Sequence, residues 1–248
     1  MSRLAIVQHD PAQGPGLFAE VLAEENIDFD LVEMHAGASF PAAGDCEAVI
    51  GLGGGDAKVY SDELEDEMKR MRATVEAGVP QLHICYAAQL LVRAAKGEII
   101  RAPRPEVGFL DPESRPYVVQ PTKEGRADPI FDGIKGGFSG FQLHGDRMRI
   151  TGWAEDISLL ATGNELDAQV VRVEERAYGL QFHPEVTPDL LDGWCDAYPD
   201  FLDDKPQLWT EFEAGRAASE ERGARILRNF LALAGLRHSD PKLPAPRP

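Results

Sequence analysis

Three residues of this chain are of the types that together cleave an acyl bond. Cys85 ends the apolar run "QLHIC" and precedes "YAAQLLVRAA", which has helical spacing. A thiol at a strand-to-helix junction lies beside backbone N–H groups and the positive end of the helix dipole, which favour the reactive thiolate. A sharp turn there exposes the side chain and aims the next N–H at a substrate carbonyl. A cysteine nucleophile needs a base, and the base needs an orienting group. "GLQFHPEV" offers both: His183 closes a strand-like segment, and Glu185 follows across Pro184, which restricts the local backbone. One ring nitrogen of His183 would face Cys85 and the other Glu185, as a triad requires. The glycine run in "GLGGGDAKVY" can present N–H groups to an oxyanion. It lacks the Gly-Lys-Ser/Thr ending of a phosphate loop and the spacing of a dinucleotide fingerprint. Taken singly, each piece also has a plain reading: an inert buried thiol, a surface turn, a flexible loop.

The elements that must position these residues are legible as apolar periodicity. "RLAIVQ", "FDLVEM", "EAVIGLG" and "GVPQLHIC" read as strands. Residues 17–25, 61–77 (with Ser61 as cap) and 86–95 read as helices. This alternation predicts an α/β fold: an open, mainly parallel twisted sheet with helices on both faces. Ligands of such sheets collect at the carboxyl ends of strands, where Cys85 lies. "GEIIRAP", "YVVQPT" and "FSGFQLH" are short strand-like pieces and predict a small antiparallel flank. "AQVVRVEERAYGLQFHPE" reads as a hairpin, and Thr187 as the cap of a helix to about residue 197 with Pro188 in its first position. A helix over 211–234 is expected to stop at Gly235. Residues 1–236 are expected to form a single domain, with 194–236 as a helical C-terminal extension and the Pro-rich 237–248 as a disordered tail.

The 248 residues leave ample room for a core, and 43% hydrophobic content is ordinary for a globular protein. A formal charge of −17 repels phosphate backbones and anionic bilayers, so neither nucleic acid nor membrane is expected as a partner. No apolar stretch approaches the ~20 residues of a membrane span, and "MSRLAIVQHD" is polar too soon for a secretory leader. Cys46, Cys85 and Cys195 are odd in number and far apart, without CxxC spacing. They suggest neither a disulfide framework nor a zinc site, and the expected home is the reducing cytoplasm. No metal and no cofactor are expected.

"LGGGDAKVY", "VPQLHICYAAQLL", "FQLHGDRM" and "GLQFHPEV" occur in one order over residues 3–191. Together they resemble the class I glutamine amidotransferase family, and most of all its stand-alone members similar to the glutaminase part of GMP synthase. The resemblance implies a flavodoxin-like sheet. It also implies that Cys85 is the nucleophile, His183 the general base and then acid, and Glu185 the group that orients His183. The oxyanion hole would be the N–H of Tyr86 plus one from the glycine loop, Gly55 or else Gly54. Gln89 matches the position that helps hold the amino-acid end of glutamine, and His144, Gly145 and Asp146 match a loop lining the same pocket. The chain departs from the family's usual Gly-x-Cys-x-Gly with His83 and Ala87, and Asp56 stands where proline often follows the glycines. His83 shares a strand face with Cys85 and is expected to be a hydrogen-bonded core histidine; reshaping of the pocket is the alternative.

The implied reaction is hydrolysis of the glutamine side-chain amide to glutamate and ammonia through a Cys85 thioester. A GMP synthase would continue into an ATP-pyrophosphatase domain, so a synthetase accepting the ammonia is an expected partner. A hydrolase of other γ-glutamyl amides on the same triad is the alternative, with "GWCDAYPDFLDDKPQLW" (Trp194, Tyr198, Trp209) as a cap for a larger leaving group. A further alternative is a non-catalytic or partner-activated regulatory subunit, for which His83 and Asp56 would be the cause.

Overall fold

The strand that ends at Cys85 lies at the centre of a sheet. A computed structural model describes residues 3–55, 64–149, 156–164, 168–199, 202 and 205–237. Strands β1 (Leu4–Gln8), β2 (Phe29–Glu33), β3 (Ala48–Gly51) and β4 (Gln81–Ile84) come from four of the predicted runs. With β11 (Ala177–Leu180) they make a parallel block in the order β2-β1-β3-β4-β11. Strands β1, β3, β4 and β11 are buried along their whole length, which is why they read as continuous apolar runs; β2, at the edge, is half exposed.

Side chains alternate between faces. Leu4, Ile6, Leu82 and Ile84 pack on one face under α1 (Leu17–Glu24) and α5 (Lys205–Leu233), against Phe18, Leu22, Ile226 and Phe230. Val7 and Val49 pack on the other under α2 (Glu65–Glu76) and α3 (Tyr86–Ala94), against Met71, Val75, Leu90 and Leu91. Each fully buried side chain of this size contributes roughly 2 kcal/mol of apolar transfer. Held from both faces, β4 and the turn after it have little freedom to shift.

Beyond β11 the sheet turns antiparallel: β10 (Ala168–Val173), β9 (Ile157–Thr162), β6 (Val118–Pro121) and β7 (Phe138–Ser139) follow in order. Strand β8 (Gln142–Met148) pairs with β10 and with β5 (Ile99–Gly108). This flank is larger than the short sequence pieces suggest, because β5 is ten residues long and β9 gave no clear alternation. The predicted hairpin is β10 and β11. Helix α4 (Pro188–Ala197) begins as expected, with Thr187 Oγ1 accepting from the Leu190 N–H at 3.2 Å. Helix α5 starts at Lys205, earlier than its periodicity suggests, and Gly235 follows it with φ 71°. Phe109, Phe141, Trp194, Leu208 and Phe212 form a third cluster joining α4 and the start of α5 to the antiparallel flank. Ser61, Asp56 and residues 238–248 lie outside the described residues. Among the described residues no helix is long and apolar enough to cross a membrane.

Candidate active site

Cys85 adopts φ 47° and ψ −108° between β4 and α3. Positive φ is costly for a residue with a Cβ, on the order of 1–3 kcal/mol, and persists only where the surroundings enforce it. Here the Cys85 N–H donates to Leu180 O at 2.7 Å, and its carbonyl accepts from the Gln89 N–H at 2.9 Å. The turn is therefore fixed by β11 on one side and by the first turn of α3 on the other. The thiol, 2% exposed, lies 3.6 Å from Leu143 O and accepts from Gln181 Nε2 at 3.7 Å.

His183 follows β11, the strand hydrogen-bonded beside β4. Its N–H donates to Phe141 O at 2.8 Å, and its Nδ1 donates to Glu185 Oε1 at 2.7 Å. Nε2 is left without a hydrogen-bond partner among the described residues. Burial pushes the His183 pKa down, but the Glu185 carboxylate and then the Cys85 sulfur overcome this and push it up to about 10. The Trp194 ring meets the imidazole edge-on with centroids 4.9 Å apart, and its Nε1 donates to Ala12 O at 3.0 Å. Two glycines let helices close on the His-Pro-Glu segment. A Cβ on Gly16 would come 2.2 Å from Glu185 O, and one on Gly223 would come 2.1 Å from Pro184 O. The Leu17 N–H, opening α1, donates to that same Glu185 carbonyl at 2.9 Å.

The glycine loop leaves β3 beside this pair. Gly53 faces His183: a Cβ there would lie 3.2 Å from His183 Cε1. Gly54 faces Tyr86, with the corresponding distance to Tyr86 Cδ1 being 2.9 Å. Gly55 is exposed and has open space around it. His9 braces the root of the loop, with Nδ1 3.2 Å from Leu52 O and Nε2 2.6 Å from Glu67 Oε1 of α2.

Of the residues matched to glutamine binding, Gln89 is fully buried; its Nε2 donates to Asp146 O at 3.0 Å and to Gln181 Oε1 at 3.4 Å. His144, Gly145 and Asp146 do not form a loop. They lie within β8, where pairing with β5 holds them extended. His144 Nε2 lies 2.9 Å from Gln142 Oε1 and 3.2 Å from Glu106 Oε2, and the Asp146 carboxylate meets Arg101 Nη1 at 3.3 Å.

Residues 19–193 match the family described as glutamine amidotransferase class-I. The chain belongs to that family. It is 34% identical to the GMP synthase [glutamine-hydrolyzing] of Nitratiruptor sp. over 140 residues, 55% of this chain and 24% of that one. It is 30% identical to that of Wolinella succinogenes over 171 residues, 68% of this chain and 30% of that one. The chain thus spans less than a third of these relatives. In fold it is similar to a glutamine amidotransferase from Thermotoga maritima, with a TM-score of 0.78 at 22% identity over 93% of this chain and 98% of that one. A glutamine amido transferase from Methylobacillus flagellatus gives 0.80 at 19% identity, over 97% and 98%.

Within this amidotransferase fold, His83 is a core residue. It is fully buried, and its Nε2 lies 2.7 Å from Gln81 Oε1. Gln81 Nε2 in turn donates to Thr74 Oγ1 of α2 at 3.0 Å. The ring lies over Gly51 on β3, where a Cβ would meet His83 Nδ1 at 2.2 Å. Gly51 thus makes the room that His83 fills. Burial, followed by the charge of His9, pushes the His83 pKa down to about 3.

Sequence reasoning did not pick out Gln181, Gln13 or Gly53. Gln181 had a signal, since it stands two residues before His183 in a strand-like segment and so shares its face. For Gln13 and Gly53 there was none, because only the lateral order β1-β3-β4-β11 brings them to His183. Among the described residues no group of three or more His, Cys, Asp or Glu could hold a metal ion.

Proposed function

We propose that this chain hydrolyses the side-chain amide of glutamine. What supports the reading is a strained Cys85 at the start of α3, on the strand beside the one that leads to His183, together with a His183 whose Nδ1 is occupied by Glu185. Cys85 Sγ attacks the carboxamide carbon, and the carbonyl electron pair moves to oxygen. The Tyr86 N–H and one from the glycine loop stabilise that oxyanion, each donor contributing roughly 3 kcal/mol in hydrolases dissected by mutation. Gly54 is the stronger loop candidate, because it packs on Tyr86, while Gly55 has open surroundings. The C–N bond then breaks, His183 gives its proton to the departing nitrogen, and ammonia leaves a thioester. Water, losing a proton to His183, cleaves the thioester and releases glutamate. Gln89 holds the amino-acid end of the substrate through its Oε1, which has no partner among the described residues. His144, Gly145 and Asp146 form the β8 wall of the same pocket.

The ammonia passes to a synthetase. Supporting this is the likeness to GMP synthases more than three times the length of the matched segment. A larger γ-glutamyl amide is the second reading, favoured by Trp194 of α4, which packs on His183, and by Tyr198 just after it, which meets Gln13.

Incubation of the purified chain with glutamine and a panel of γ-glutamyl amides, beside Cys85→Ala, tests both. Glutamate release from glutamine that vanishes in the variant is expected. Release only from larger amides would transfer the reading to a γ-glutamyl hydrolase. No release from any amide, with a Cys85 slow to alkylate, would point to a partner-dependent or non-catalytic subunit.

A further inference from the structure

The turn after β1 carries an acceptor toward His183 that the triad does not use. Gln13 is 4% exposed. Its backbone is fixed twice: its N–H donates to Asp10 O at 2.9 Å, and its carbonyl accepts from Gln8 Nε2 at 3.3 Å. Its side-chain Nε2 donates to the Tyr198 hydroxyl at 3.3 Å. The Gln13 amide therefore presents its NH2 group to Tyr198, whose oxygen accepts from it. Gln13 Oε1 is thereby turned to the other side. There it has no hydrogen-bond partner among the described residues and approaches Gly53, where a Cβ would come within 2.6 Å of it. His183 Cε1 lies 3.2 Å from that same point. Burying a carbonyl oxygen without a donor costs free energy, on the order of 1–3 kcal/mol. A donor supplied by the substrate would remove that cost.

Resting on the glutaminase reading above, we infer that Gln13 contacts the substrate, its Oε1 accepting a hydrogen bond from the leaving nitrogen of the scissile amide. That nitrogen must lie within reach of His183 Nε2 to be protonated, and Gln13 Oε1 stands beside the same ring. The bond strengthens as the nitrogen gains a proton and positive charge, so it favours the transition state over the bound amide. An ester leaving group has no N–H and gains nothing from this acceptor. Gln13 thus selects for amides over esters of the same acyl group, and Tyr198 is the positioning residue that aims it.

The test compares kcat/KM for glutamine and for glutamic acid γ-methyl ester in wild type and in Gln13→Met, which keeps the side-chain length. Glutamine hydrolysis should fall about tenfold, the effect of one buried hydrogen bond, and ester hydrolysis should fall by less than about twofold. Tyr198→Phe removes the oxygen that aims the amide and should shift the amide-to-ester ratio in the same direction by a smaller factor. It carries the test alone if Gln13→Met does not fold. Equal losses on both substrates would assign Gln13 a structural role and overturn the inference, as would no loss on either. A wild type that releases glutamate from neither substrate would instead overturn the glutaminase reading, and this inference with it.

Discussion

Two buried imidazoles, one on the strand that leads to Cys85 and one just past the end of the strand beside it, sit at opposite ends of the proton scale. His183 is 1% exposed and His83 is fully buried. Each places a ring nitrogen 2.7 Å from an oxygen of a residue two positions away. For His183 that oxygen belongs to the carboxylate of Glu185, and the pKa is pushed up to about 10 against the effect of burial. For His83 it belongs to the neutral amide of Gln81, and burial holds the pKa down to about 3. Burial and hydrogen-bond length are nearly matched, so the partner's charge decides which ring holds a proton at neutral pH and which stays neutral.

The largest effect should come from making the first ring resemble the second. Glu185→Gln keeps the shape and a hydrogen-bonding side chain but removes the charge. The His183 pKa should fall, and glutamate release should drop by roughly 10⁴-fold, the loss seen when the orienting carboxylate of a triad becomes an amide. Steady-state kinetics on glutamine measures this; an activity within about twofold of wild type would remove Glu185 from the triad. The same variant should change stability in a defined pH window. A histidine whose pKa is raised on folding stabilises fully below its unfolded value of 6.5, and that stabilisation is lost as pH rises through about 10. Urea unfolding should therefore find the gap between wild type and Glu185→Gln widest below pH 6.5 and narrowing toward pH 10.

A smaller effect belongs to the neutral group on the charged side of the comparison. Gln181 Nε2 donates to the Cys85 sulfur, and Gln89 fixes its orientation by donating to its carbonyl oxygen. A sulfur carrying negative charge is the better acceptor, so Gln181→Leu should slow alkylation of Cys85 by iodoacetamide about threefold at neutral pH, the loss of one weak donor. An unchanged rate would mean that the 3.7 Å contact does not bear on thiol reactivity.

What was legible in the sequence was whatever consecutive residues determine. Cys85 at its junction and the His-Pro-Glu tripeptide are local arrangements, and both stand at strand ends as their flanking runs imply. Strands β1, β3 and β4 were visible because burial on both faces demands unbroken apolar runs. The start of α5 was hidden: Pro206 occupies its first turn, where a missing N–H costs nothing. Strand β9 was missed because "ISLLAT" is only half buried and shows no alternation. Gln13 and Gly53 were out of reach for a different reason. Their meeting at His183 depends on strand pairing and on the docking of Tyr198, which no spacing along the chain encodes. The polar partner of His83 was anticipated in kind, but the Gly51 that admits the ring is a neighbour across strands.

The smallest effect, and the one that isolates the neutral ring, lies at low pH. The folded state keeps His83 neutral down to about pH 3, whereas the unfolded chain takes up a proton near 6.5. Between these values the unfolded state binds more protons, so stability should fall as pH drops through the window. Gln81→Glu offers the ring a carboxylate in place of the amide oxygen and should raise the His83 pKa, flattening that part of the stability profile. His83→Phe removes the titrating group and should flatten it as well, although only Gln81→Glu adds a carboxylate. Glutamine turnover should stay within about twofold of wild type in Gln81→Glu, because the carboxylate points toward Thr74 and α2, away from the thiol. A profile unchanged in both variants would mean that His83 takes its proton in the folded state. The contrast between the two imidazoles would then rest on something other than the charge of their partners.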